Sequence, residues 1–405
     1  MYFKVGFLSL ALCVGLAWAT IDADLLQSLQ PGIKRDVLID FAGGNSRVIQ
    51  SIESRSFRSR ESKVKALTKG LQGLTQSSQG PLQEFLGTMG VQSQTFWSSN
   101  QMVVKGADLS LLQRVDAFTQ VSRIQMLPRV QLSPIPSSIT PTATTVQWGV
   151  SMIQADQVWD TYGTKVRVTH EALRDNFRSE NGWFDPIANT TEPNDQNGHG
   201  THTMGTIAGG GLKGKGIGVA PGAKWIACKG CANSGCNGDA LLACGQFMLQ
   251  ALPDVVSNSP SIPGERLEFF MPFAIGNNGP ICFSGGSPGD QPNVFAVGST
   301  DSKDRSSSFS SRGPSLAGFI TKPDIAAQEV TYIPRGDSGV KLPQSKVESL
   351  IETTAVTKGL SIGAVNLVIP CSFGFLGRLS YPNNYFGHGR INALQAVNAT
   401  LQASS

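Results

Sequence analysis

One histidine in this chain stands where it could take a proton from a nucleophile. His199 lies in the stretch Asn197-Gly198-His199-Gly200-Thr201-His202-Thr203-Met204-Gly205-Thr206-Ile207-Ala208-Gly209, where small residues of a helix follow the histidine. An imidazole at the mouth of such a helix can act as the general base for a serine, because its ordinary pKa lies near neutrality. His202 follows three residues later on the same helical face, and a His-x-x-His pair can also bind a metal ion. The spacing alone leaves both chemistries open.

A second segment could stabilise a developing negative charge. Asn277 lies in Gly276-Asn277-Asn278-Gly279, directly after an apolar run at residues 270–275 that is typical of a buried strand. Its side-chain amide can donate a hydrogen bond to an oxyanion, and losing such a donor typically costs about 2.7–4 kcal/mol of transition-state stabilisation. The residues by themselves favour an ordinary turn asparagine.

The start of the chain reads as a secretory signal peptide, residues 1–19. Lys4 gives a positive start, residues 5–18 are apolar, and Ala17-Trp18-Ala19 is a small-x-small cleavage site. The apolar run is shorter than the ~20 residues that span a bilayer, and no later run approaches that length. We therefore expect a secreted, extracellular protein with no membrane segment. The net charge of +4 over 405 residues, without a Lys/Arg run, gives no reason to expect a nucleic-acid partner.

The cysteines fit an oxidising compartment. Of seven, Cys13 leaves with the signal peptide, and an even number in a secreted protein favours disulfides. Four of the six form a cluster that could also be read as zinc ligands, although its spacing fits no zinc pattern: Cys228, Cys231, Cys236 and Cys244. The spacing does not reveal the disulfide pairing. Asn189-Thr190-Thr191 and Asn398-Ala399-Thr400 are N-glycosylation acceptors.

The rest of the chain divides into two regions and a linker. Residues 20–131 predict a small α+β domain, with strands at 37–41 and 100–105 and helices at 48–69 and 108–115. Residues 132–145 are rich in Pro, Ser and Thr and form a linker that is a plausible cleavage zone.

Residues 146–399 form the second region, and residues 400–405 a tail. Short apolar runs at 224–227, 270–275 and 294–297 predict buried strands, and helical patterns occupy 239–249 and 345–355. Strands that alternate with helices predict an α/β fold, with an open parallel sheet and helices on both faces.

Several motifs occur in an order that resembles the subtilisin-like serine proteases (subtilases). After the His199 string come Gly218-Val219-Ala220-Pro221-Gly222-Ala223, Ala274-Ile275-Gly276-Asn277-Asn278-Gly279-Pro280, Ser311-Arg312-Gly313-Pro314, Lys322-Pro323-Asp324-Ile325 and Tyr385-Phe386-Gly387-His388-Gly389-Arg390-Ile391-Asn392. The first region resembles the family's inhibitory propeptide.

The resemblance implies a zymogen that cleaves proteins or peptides and is inhibited by its own propeptide. It makes His199 the general base and Asn277 the oxyanion donor. It makes His202 structural, and we read His170 and His388 as structural too. No cofactor is required and no metal ligand is assigned. Calcium sites are common in the family, but Asn194-Asp195-Gln196-Asn197 is too weak a pattern to assign one.

The family pattern is broken at three places. The strand that ends in the catalytic aspartate is absent near residues 163–168, and neither Asp160 nor Asp175 is a convincing replacement. The Gly-Thr-Ser turn that carries the nucleophile is absent near residues 331–347. Ser338, in Gly336-Asp337-Ser338-Gly339, resembles the nucleophile loop of unrelated trypsin-like enzymes, and we read it as coincidence. The third break follows residues 253–259, where Pro260 replaces an expected tryptophan.

Whole segments of the family pattern are missing, while the sequence on both sides of each break matches that pattern well. This indicates an incorrect gene model or aberrant splicing rather than gradual divergence of the sequence. We expect the locus to encode a secreted serine endopeptidase and the chain as written to show little or no proteolysis. The alternative is a non-catalytic member of the family, either a pseudoprotease or a propeptide-type protease inhibitor.

Overall fold

The computed structural model describes residues 20–130, 146, 148–157, 172–210, 217–233, 235–257, 270–328, 344–362, 371 and 380–402. Its helices are α1 (Ala23–Ser28), α2 (Ser46–Glu53), α3 (Arg60–Thr88), α4 (Leu109–Asp116), α5 (Trp148–Met152), α6 (His199–Ala208), α7 (Gly238–Ala251), α8 (Gln344–Thr353) and α9 (Ala393–Gln402). Its strands are β1 (Arg35–Phe41), β2 (Ser93–Phe96), β3 (Gln101–Ala107), β4 (Val121–Met126), β5 (Arg129–Val130), β6 (Trp183–Phe184), β7 (Ala227–Cys228), β8 (Cys231–Ala232), β9 (Gly235–Asn237), β10 (Pro272–Ala274), β11 (Phe295–Thr300) and β12 (Ile325–Gln328). The predicted signal peptide and linker lie outside these residues.

The packing groups the chain into two compact units. Residues 20–44 and 72–127 form the first unit. Residues 45–71 pack with the part of the chain from residue 128 onwards and belong to the second unit. The domain boundary near residue 131 stays a prediction from the sequence.

The first unit is a four-stranded antiparallel sheet in the order β2-β3-β1-β4. Alternate residues of the central strands, such as Val37, Ile39 and Met102, are fully buried against helical leucines and valines. The strands predicted at 37–41 and 100–105 are present as β1 and β3. The predicted helix at 108–115 is α4, where the Asp108 carboxylate accepts a hydrogen bond from the Leu111 amide at 2.9 Å.

The helix predicted at 48–69 is wrong in its bounds. The chain breaks between α2 and α3, and α3 then continues through Pro81 as far as Thr88. Proline disfavours a helix interior because it lacks an amide hydrogen. Burial of Leu82 and Leu86 in the core of the first unit offsets that cost, and this burial cannot be read from the local sequence.

The second unit contains the parallel sheet β10-β11-β12, as expected for the predicted α/β fold. The runs at 270–275 and 294–297 are the regions of β10 and β11. The run at 224–227 is paired in parallel at two points: Trp225 bridges Phe177, and β7 lies parallel to β6 at its end. The predicted helices at 239–249 and 345–355 are α7 and α8. The last helix, α9, extends to Gln402, into the residues assigned to the tail.

Three disulfides join the six cysteines, so the disulfide prediction is confirmed and the zinc alternative is wrong. They pair Cys228 with Cys244, Cys231 with Cys236, and Cys282 with Cys371. The second disulfide links β8 to β9, where Cys231 and Cys236 face each other in antiparallel register. Across the described parts of the chain, no helix is both long enough and apolar enough to cross a membrane.

Candidate functional site

His199 is the first residue of α6, and its surroundings are set by a loop that precedes the helix. The four amides at a helix start have no partner inside the helix and need acceptors from elsewhere. The Asp195 carboxylate is the acceptor for two of these amides, those of Gly198 (2.9 Å) and Thr201 (2.7 Å). It also accepts from the Thr201 hydroxyl (2.8 Å). Asp195 therefore holds the turn that presents His199, a role that the sequence analysis missed.

The electrostatics favour a neutral imidazole at this position. Burial lowers the pKa of His199 below its ordinary value, the neighbouring His202 lowers it further, and Asp195 acts in the opposite direction. A general base must be unprotonated at the working pH. His199 is accordingly in the form that can accept a proton at neutral pH.

Asp195 has a lowered pKa for a different reason. Burial alone would raise the pKa of its carboxyl group, but the hydrogen bonds from Thr201, Gly198 and Asn197 together lower it. The native state therefore stabilises the charged carboxylate. That contribution to stability is present above the unfolded pKa of about 3.9 and is lost as the pH falls through the lower folded pKa.

Replacing Asp195 by asparagine should destabilise the second unit by about 1 kcal/mol at pH 7, as expected for loss of a charged acceptor at a helix start. It should also lower the pKa of His199 further, because the carboxylate that opposes the lowering is gone. Chemical denaturation and NMR titration of the imidazole measure the two effects. Glu192→Gln is the matched control, since it removes an exposed carboxylate from the same loop. Equal effects in both variants would refute the role of Asp195.

The C-terminal end of α6 is covered by the segment around Gly218. The amides of Gly218, Val219 and Ala220 donate to the carbonyls of Gly209, Thr206 and Ile207 at 2.6–2.8 Å. A Cβ at Gly218 would lie 2.3 Å from the Gly209 nitrogen, so only glycine allows this approach. The small residues of both motifs thus fix the helix that carries His199.

Asn277 lies in the loop that follows β10, at the carboxyl end of a parallel strand, with its side chain exposed. Gly276 has a φ of 112°, and a Cβ there would lie 2.9 Å from the Ser311 hydroxyl. The Ser311 amide donates to the Gly276 carbonyl (2.9 Å), and its hydroxyl accepts from the Asn278 amide (3.0 Å). The buried Ser311 therefore holds the loop that carries Asn277. The signal in the sequence was the Ser311-Arg312-Gly313-Pro314 motif, which had no assigned role.

The other motifs connect elements of the same unit. Lys322 is 1% exposed and donates from Nζ to Asp324 Oδ2 at 2.7 Å, and the same oxygen accepts from the Ala296 amide at 2.6 Å. This bonding joins the starts of β11 and β12. Asn392 donates to the Gln154 side chain at 2.7 Å, which joins the region after α5 to the start of α9.

The structure describes only some of the remaining sequence candidates. Asp160, His170 and Ser338 lie outside the described residues. Asp175 is described, and its carbonyl accepts from the Lys224 ammonium at 2.6 Å. His388 Nδ1 lies 3.1 Å from the Asp324 carbonyl and 3.6 Å from a Glu352 oxygen.

The polar loop considered for calcium already has internal partners. Lys229 Nζ donates to the Asn194 side-chain oxygen and, at 2.7 Å, to that of Gln196. The Asp195 carboxylate already accepts hydrogen bonds from amides at the start of α6. Within the described ranges, no three or more His, Cys, Asp or Glu side chains are grouped so that they could bind a metal ion.

Comparison with known proteins shows which family the region around His199 and Asn277 resembles. Residues 158–359 match the Subtilase family. Bacillopeptidase F of Bacillus subtilis (strain 168) is 30% identical over 321 residues, which cover 63% of this chain and 22% of that protein. Subtilisin-like protease 1 of Arthroderma gypseum and that of Trichophyton verrucosum are each 28% identical over half of this chain.

A solved structure supports the fold. The epidermin leader peptide processing serine protease of Staphylococcus aureus aligns with a TM-score of 0.59 at 13% identity, covering 91% of this chain and 98% of that one. The chain belongs to the subtilase family, the subtilisin-like serine proteases. It spans only 22–53% of the length of the curated relatives named above.

Proposed function

We propose that the locus of this chain encodes a secreted subtilisin-like serine endopeptidase made as a zymogen, and that the chain as written is inactive. The observation that carries the proposal is the position of His199 at the start of α6, next to a turn held by hydrogen bonds to Asp195, in a chain of this family. Its substrates are proteins or peptides. Secretion rests on the signal-like residues 1–19, the three disulfides and the glycosylation acceptors.

In the proposed reaction, His199 removes the proton of a serine hydroxyl as the oxygen attacks the peptide carbonyl, and later returns it to the leaving amine. The Asn277 amide donates a hydrogen bond to the oxyanion that forms. A carboxylate on a restored strand orients the imidazole. The chain as written supplies neither the recognisable serine nor that carboxylate.

The zymogen part of the proposal is supported by a short strand that precedes the linker. β5 pairs antiparallel with β9, matching Arg129 with Asn237 and Val130 with Cys236. Adding an extended segment to a sheet edge is a common way for proteins to bind peptides. Residues 129–130 therefore lie as a bound peptide would, directly before the proposed cleavage zone.

A fluorophosphonate probe tests the catalytic part, because it labels an activated serine covalently. We expect labelling of a chain in which the aspartate and serine segments have been restored, and no labelling of the chain as written. Absence of label on the restored and correctly processed protein would contradict the proposal.

The alternative is a propeptide-type inhibitor, favoured by the first unit, which has its own complete antiparallel sheet and core. Residues 20–140, produced as a separate fragment, should then inhibit a related subtilase in the nanomolar range. An inhibition assay with a peptide substrate measures this. No inhibition at micromolar fragment would exclude this alternative.

A further inference from the structure

Helix α7 is contacted at both of its ends by the part of the chain that precedes the linker. At its start, the Gly238 amide donates to the Pro128 carbonyl at 2.9 Å, next to the β5–β9 pairing. Beyond its end, Arg60 donates from Nη1 to the Leu252 carbonyl at 3.2 Å and from Nη2 to the Pro253 carbonyl. Nη1 also lies 3.3 Å from Asp254 Oδ1.

The two contacts match what a helix needs at its ends. A helix start has amides without partners and a partial positive charge, so a carbonyl oxygen fits there. A helix end has carbonyls without partners and a partial negative charge, which a guanidinium group complements. Arg60 is well placed for this, because its planar group holds several donors in fixed directions and its side chain is only 24% exposed.

A second arginine, Arg178, also contacts the C-terminal end of α7, but it lies in the part of the chain after the linker. Arg178 donates to the Ala251 carbonyl at 2.8 Å. The two arginines thus divide the last carbonyls of the α7 region between them. The Arg60 contact connects this region to the part of the chain before the linker.

We infer that Arg60 is an attachment point that keeps residues 20–131 bound after the chain is cut in the linker. The inference rests on the proposed zymogen, because it concerns the fragment released by cleavage at residues 132–145. With the peptide connection cut, β5 and Arg60 hold the fragment at opposite ends of one helix. Two linked contacts bind more tightly than either alone, because the second forms at high effective concentration.

The test uses the full chain with a recognition sequence for a specific protease inserted into residues 132–145. After cleavage, the dissociation constant of the two pieces is measured by dilution and size-exclusion chromatography. Arg60→Ala should raise this constant about 10- to 100-fold, as expected for hydrogen bonds from a charged donor. Arg58→Ala removes the same charge from an exposed site two residues away and should change it less than about twofold.

Two further variants refine the result. Arg60→Lys keeps the positive charge but loses the planar guanidinium group with its several donors. The dissociation constant of this variant should therefore lie between those of the parent and Arg60→Ala. Asp254→Asn weakens an exposed ion pair and should cost less than about fivefold. Circular dichroism of the uncut proteins checks folding, and Arg60→Lys decides the question if Arg60→Ala does not fold. The inference is overturned if the parent pieces separate freely or if the Arg60 and Arg58 variants behave alike.

The result is separable from the proposed function. A fragment that stays bound through Arg60 but inhibits no protease would leave the attachment intact and contradict the inhibitory propeptide. A fragment that inhibits equally well with and without Arg60 would support the propeptide and refute the attachment.

Discussion

Replacing His199 by alanine in a chain with restored aspartate and serine segments is expected to lower kcat for peptide hydrolysis about 10⁶-fold, the cost of losing a triad histidine. The physical reason is that the serine hydroxyl is a weak nucleophile until a neighbouring base takes its proton. In the chain as written the same substitution should change nothing, because there is no nucleophile to activate. Steady-state hydrolysis of a chromogenic peptide measures both.

His202→Ala is the matched control, since it removes an imidazole from the same face of α6. It should keep kcat within about tenfold of the parent, because a supporting residue acts only through packing. A loss as large as that of His199→Ala would contradict the assignment of the base. Measurable hydrolysis by the chain as written, abolished by His199→Ala, would contradict the claim that its nucleophile is missing.

Removing the disulfide between Cys282 and Cys371 is expected to have the largest effect on stability. The two residues are 89 positions apart, and the loop-entropy estimate for a link of that length is about 4–5 kcal/mol. The site is also well packed: the Cys371 amide donates to the Tyr385 hydroxyl at 3.0 Å, and the Cys371 carbonyl accepts from the Asn384 side chain. The double substitution to serine should therefore cost about 4 kcal/mol of unfolding free energy.

The disulfide between Cys231 and Cys236 provides the control, because its residues are only five positions apart. The same estimate gives about 2 kcal/mol for so short a loop. Urea unfolding of both double-serine variants under non-reducing conditions gives the comparison. If the short link contributes as much as the long one, loop closure is not the source of the stabilisation.

The sequence predicted those parts of the fold that leave a pattern in neighbouring residues. Apolar runs located β10 and β11, and the acidic residue before α4 marked its start. The order of the motifs placed the His199 and Gly218 strings in the same unit. Such features depend on the spacing of neighbouring residues, which can be read directly from one sequence.

Features that depend on distant residues were not predictable. Arg60 binds main-chain carbonyls more than 190 positions away, and carbonyls have no sequence signature. β5 is two residues long, so it has no periodicity to recognise. The pairing of six cysteines depends on how the chain folds back on itself. The bonds of Asp195 to α6 were not predicted, because a polar loop does not reveal which main-chain amides its carboxylate accepts from.

The same difference applies within the candidate site. The positions of His199 and Asn277 follow from motifs whose supporting residues, Asp195 and Ser311, are now visible. The missing aspartate and serine segments near residues 163–168 and 331–347 are predictions from the family pattern in the sequence, and residues 163–168 and 331–343 lie outside the described residues.

Sequencing the full-length transcript across codons 163–168, 257–270 and 331–347 decides whether the locus encodes a peptidase. We expect additional in-frame segments, including a strand that ends in aspartate and a turn that contains Gly-Thr-Ser. The product would then be a complete subtilase with His199 as its base. Junctions that stand as written would contradict the proposed peptidase and leave the inhibitor or pseudoprotease in its place.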